Sequence, residues 1–137
     1  MRQIFARILC FIPGLIFLTQ AYSWVTNPAE ASKGLGMLYL DGVGRSTQIG
    51  DFSAFFIGVS IFCLLGSVFK NTSFLFSAVI ILGSAAIMRI IAWKVYDADF
   101  ATTFIIVELL TTIMILASII LFKKKENVIE NLETADD

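Results

Sequence analysis

The sequence predicts an all-α protein, an integral membrane four-helix bundle with both termini in the cytoplasm. Three observations carry this. Hydrophobic residues make up 58% of the 137-residue chain. Charged residues make up only 15%, against about a quarter in soluble domains, and mean hydropathy is +0.86. Finally, the apolar residues fall into four blocks, each close to the roughly 20 residues that a helix needs to cross a bilayer core of about 30 Å. A surface facing water cannot be built from this composition.

The first helix is expected over residues 4–25, behind Arg2 and Arg7 and with Pro13 inside it; membrane helices tolerate such a proline. A secretory leader over residues 1–23 is the alternative, with the small residues Ala21 and Ser23 before a cut. Apolar and aromatic character that continues through Tyr22, Trp24 and Val25 suits a retained interfacial anchor better. Residues 26–51 then read as an extracytoplasmic loop. Asn27-Pro28 breaks the first helix, Pro28-Ala29-Glu30 resembles a helix start, and Ala31–Leu40 is expected as a short interfacial helix. Gly34, Gly36, Gly42 and Gly44 punctuate a flexible stretch, which contains no dinucleotide-binding glycine pattern.

The second helix is expected over 52–69, followed by the polar turn Lys70-Asn71-Thr72. The third is expected over 73–93, and the fourth over 101–122 ends at Lys123-Lys124-Lys125. Residues 126–137 form an acidic tail, expected to be flexible. Basic residues set the orientation. Arg2, Arg7, Lys70 and the lysine triplet fall on one side, and Lys33, Arg45 and Lys94 on the other, which places both ends inside. The triplet reads as a stop-transfer anchor on anionic lipid. Tyr22, Trp24, Trp93 and Tyr96 mark the outer interface as an aromatic belt.

A net charge of −1 argues against nucleic acid, which requires a basic stripe, and the chain has no histidine. Cys10 and Cys63 lie in separate blocks outside any metal-ligand spacing and read as small hydrophobes. No cofactor and no metal is expected.

Two charges inside apolar blocks single out a site, because ionisable groups in lipid are costly. Arg89 lies four residues before Trp93, about 6 Å below the outer end, and Glu108 lies seven residues after Ala101, about 10 Å below it. A pair across the third and fourth helices is therefore geometrically accessible. Stepping back from Arg89 at helical spacing gives Ala86, Ala85, Leu82 and Ala78. Stepping forward from Glu108 gives Thr111, Thr112, Ile115 and Ser118. Both sets are faces that let membrane helices approach closely. Asp51, Ala54 and Gly58 suggest a similar face on the second helix. With Gln20 near the outer end of the first helix and Arg45 beside Asp51, each helix adds a polar group to the outer half, while the inner half is almost wholly apolar. The cluster Gln20, Arg45, Asp51, Arg89 and Glu108 is either a structural clasp or a ligand pocket. Two arginines would suit an anionic ligand or lipid head group.

The run RSTQIGDFSAFFIG from Arg45 to Gly58, with MRIIAW around Arg89 and VELL around Glu108, resembles the small bacterial four-helix membrane proteins of domain of unknown function 4345, which are similar to DoxX-like proteins. The resemblance covers residues 8–120. It matches Arg45 to an arginine before the second helix, Arg89 to one near the end of the third, and Glu108 to a glutamate in the fourth. Asp51 departs from the pattern, which commonly has glycine there. The resemblance implies a four-helix bundle in a bacterial inner membrane and no established activity.

The leading expectation is a non-enzymatic accessory or small-ligand- or lipid-binding protein whose partners are the lipid bilayer, an anionic ligand, and a second copy or a membrane complex. The alternatives are a small oligomeric transporter and a subunit of a quinone-linked redox complex. Small multidrug exporters share a first-helix glutamate, however, and only Gln20 stands there in this chain.

Overall fold

The computed structural model describes residues 1–133, with side chains to Lys123. It contains α1 (Arg2–Thr26), α2 (Pro28–Gly34), α3 (Gly42–Phe69), α4 (Thr72–Val95) and α5 (Thr102–Glu133). Four of these, counting α5 as far as Lys123, are long and apolar enough to cross a membrane. The chain is thus a multi-pass helical membrane protein. The long helices alternate in direction and pack in the ring order α1, α3, α4, α5, each against two neighbours. One end of the bundle holds the start of α1 and the close of the α5 span (the terminal end), and the opposite end holds α2 (the loop end).

The connection between α1 and α3 departs from expectation in two ways. The short helix runs over Pro28–Gly34 and not Ala31–Leu40, begun by the Asn27 side chain accepting from Glu30 N and by Pro28 in its first turn. It stops in a Schellman turn. Gly36, at φ +71°, lets its own N–H donate to Lys33 O and that of Met37 to Ser32 O, both at 2.9 Å. Lastly, α3 begins at Gly42 and not at residue 52, so Gly42 and Gly44, expected in a flexible stretch, stand in a helix. Buried Gln48 explains this. Its side-chain oxygen accepts from Leu40 N at 3.1 Å and its amide donates to Leu38 O at 3.0 Å, which pins the extended 38–40 segment onto the first turns of α3. At 28 residues, α3 is about 42 Å long, so its first turns stand clear of a hydrocarbon core of about 30 Å.

The turn between α3 and α4 forms where the polar residues predict it. Lys70 is left-handed, and the Asn71 side chain caps α4 by accepting from Ser73 N at 2.8 Å. α5 continues through the first part of the tail to Glu133, where a flexible segment was expected from residue 126, and residues 134–137 lie outside the described residues.

The terminal half is not as devoid of polar contacts as the sequence suggests. Ser118 donates to Ala6 O at 2.8 Å, Ser60 to Gly14 O at 2.9 Å and Ser67 to Arg7 O at 3.1 Å. Arg7, expected only as an orientation signal, returns bonds to Ser67 O and Val68 O at the end of α3. These contacts stitch α1 to α3 and α5. Ser118→Ala and Ser60→Ala are each expected to cost roughly 0.6 kcal/mol, the mean for an interhelical side-chain bond in a membrane bundle, measured by unfolding in mixed micelles.

Close backbone approach also falls elsewhere than expected. A Cβ at Gly58 would meet nothing within 4 Å, so the Asp51, Ala54, Gly58 face is not a packing seam within the chain. The seam lies at Gly14, where a Cβ would come 2.9 Å from Leu64, and at Gly66, which lies under the Leu75 side chain. Trp24 is no belt residue either. It is fully buried and stacks on Phe52 with ring centroids 4.8 Å apart. Tyr22, Trp93 and Tyr96 are exposed.

Candidate functional site

Three contacts that join the α1/α3 pair to the α4/α5 pair, Ser118 on Ala6, Leu75 beside Gly66 and Phe62 stacked on Phe74, lie in the terminal half. In the loop half a cavity of about 590 Å³ opens between the two pairs, with walls from all four long helices. That volume falls within the range of small-molecule sites.

The expected faces of α4 and α5 position its polar end. Ala78, Leu82 and Ala86 are buried, as are Thr111, Ile115 and Ser118, so Arg89 and Glu108 on the same stripes turn inward. Arg89 Nε donates to Glu108 Oε1 at 2.9 Å. Phe104, one turn before Glu108, places its ring 4.9 Å beneath the guanidinium carbon, within cation–π range. The Glu108 side chain is 7% exposed and that of Arg89 34%. The carboxylate thus sits behind the guanidinium, and the cavity meets the guanidinium. Among the described residues no protein acceptor bonds Arg89 Nη1 or Nη2.

Gln20 and Asp51 also line the cavity, both at exposed positions near its mouth. Arg45 does not join them. It bonds Leu40 O at 2.8 Å, pairs with Asp41 and lies over the Tyr39 ring, so it fastens the connection onto α3. The two-arginine case for an anionic ligand therefore loses one of its arginines, and the one that remains is already paired with a carboxylate. Arg45 departs because α3 starts early: it sits in the protruding first turn, well above Arg89.

The apolar walls are the part that sequence reasoning missed. Phe17, Phe52, Phe55, Phe56 and Phe104 surround the cavity together with Met88. Phe17 and Phe56 are themselves stacked at 6.1 Å, and Phe55 meets Phe56 edge-on at 5.1 Å. The spacing of Phe52, Phe55 and Phe56 at helical i, i+3 and i+4 was a usable signal, hidden among thirteen phenylalanines in the chain. Four buried polar atoms lack a partner among the described residues: Glu108 Oε2, Thr112 Oγ1, Ser53 Oγ and Trp24 Nε1. No trio of histidine, cysteine, aspartate or glutamate suited to a metal ion occurs among the described residues. Cys10 and Cys63 are buried free thiols.

No family model matches the chain, and no curated protein or solved structure is significantly similar to it.

Proposed function

We propose that this chain is a non-enzymatic protein of a bacterial inner membrane that binds a small amphiphile or lipid in the loop-half cavity. One observation carries the reading: a phenylalanine-walled cavity of about 590 Å³ ends on a guanidinium whose terminal nitrogens have no acceptor among the described residues. An apolar chain would lie against the rings and a polar head would meet Arg89. The distribution of lysine and arginine turns the loop end, and with it the cavity, outward. A carrier would have to open the same space to the opposite face. The terminal half is packed shut by Leu75, Ile115 and Val59, all fully buried, so the arrangement supports binding over passage.

Ala85 lines the cavity from α4 and offers a plug. Mass spectrometry of the intact protein, released from a lipid-retaining detergent, is expected to find a small amphiphile on the native chain and none on Ala85→Trp. Thermal unfolding in the same detergent checks that the variant keeps its fold. A folded Ala85→Trp protein with the same adduct, or a native chain without any, would sink the reading.

A further inference from the structure

We infer that the head group recognised at Arg89 is uncharged and rich in hydrogen-bond acceptors, an ester, amide or hydroxyl oxygen of a single-chain amphiphile, and not an anion or a cation. This rests on the cavity being a ligand site and names the chemistry that it would select. Three observations converge. First, among the described residues Arg89 uses only Nε, and the edge carrying Nη1 and Nη2 offers donors to the cavity and no acceptor. A head group there must accept hydrogen bonds, which a quaternary ammonium cannot do.

Second, the ionic side chains of the cavity are one arginine against two carboxylates, Glu108 at 2.9 Å from Arg89 and Asp51 near the mouth. An anion would meet a guanidinium that is already neutralised, with a second negative group close to its path. In a site of low dielectric that repulsion is not screened as it is in water. A dipolar oxygen takes the same hydrogen bonds without it. Third, Phe104 covers a face of the guanidinium. That face is closed to a head group, and the edge presents the Nη donors to one or two acceptor oxygens. The Arg89–Glu108 pair acts as a fixed dipole with its positive end toward the ligand, and Glu108 sets selectivity by cancelling charge.

Three probes with matched ten-carbon chains test this on the full protein in nanodiscs: monodecanoylglycerol, decyl phosphate and decyltrimethylammonium, offered together and read as adducts by intact-protein mass spectrometry. The native chain should carry the glycerol ester over the phosphate by about tenfold or more, the scale of one unbalanced charge at close range. Glu108→Gln keeps an acceptor for Arg89 Nε and removes the negative charge. It should shift the ratio toward the phosphate by about tenfold or more. Asp51→Asn, at an exposed position away from the pair, should shift it the same way by less, which covers the case of a Glu108 variant that fails to fold. Native preference for phosphate or ammonium, or a ratio that neither substitution moves, overturns the inference and leaves the binding site standing. If no probe binds the native chain better than Ala85→Trp, both fall.

Discussion

Arg89→Met is expected to lower the stability of the solubilised bundle by about 3 kcal/mol, while Arg89→Met combined with Glu108→Met costs distinctly less than either change alone. The reason lies in the asymmetry of buried pairs. Removing one partner strands the other charge where it cannot be hydrated, and replacing both with apolar groups of similar size removes the cost along with the attraction. Glu108 is the sharper case because its side chain is only 7% exposed and Oε2 already lacks a donor. A double-mutant cycle read by unfolding in mixed micelles checks the claim. If the double variant is no milder than the harsher single one, the two residues are not a coupled pair.

Gly66→Leu is expected to be of similar size, about 3 kcal/mol, at the upper end of the usual cost of overpacking. A Cβ there would come 2.6 Å from Leu75 Cγ and 3.4 Å from the Asn71 carbonyl oxygen. Leu75 is fully buried and cannot swing out, and the Asn71 backbone belongs to the turn that caps α4. The paired change Gly66→Ala with Leu75→Val moves one carbon from one side of the contact to the other, and should cost clearly less than Gly66→Leu. The same measurement at Gly58, where a Cβ meets nothing within 4 Å, should show little change for alanine. Equal costs at Gly58 and Gly66 would mean that the α3–α4 seam has been misplaced.

Most of the fold was legible in the chain because burial in lipid leaves few alternatives. A backbone in hydrocarbon must satisfy its own hydrogen bonds, so an apolar block of spanning length becomes a helix whatever its neighbours do. That reasoning located the four crossings and the turn at Lys70-Asn71. It failed between α1 and α3, where water is available and composition decides less. Gly42 and Gly44 read as loop residues, yet they open a helix. The contacts from Gln48 to Leu38 and Leu40, residues ten and eight positions away, organise that segment, and no local propensity reveals them.

The site divides along the same line. The sequence alone determined that Arg89 and Glu108 turn inward at depths where a pair is accessible, and the structure makes that pair. Both charges are unaffordable against lipid, both lie at similar depth on adjacent helices, and small residues at helical spacing mark the faces that carry them. Only the tertiary structure decided what surrounds the pair. Which helix pairs splay, which phenylalanines wall the space between them, and that Arg45 is spent on the connection all follow from where the bundle is stapled. Those staples, serine hydroxyls on α1 carbonyls and Leu75 against Gly66, join residues far apart in the chain. Each is a matter of side-chain size and direction at a single contact, so it leaves no periodic trace in the sequence.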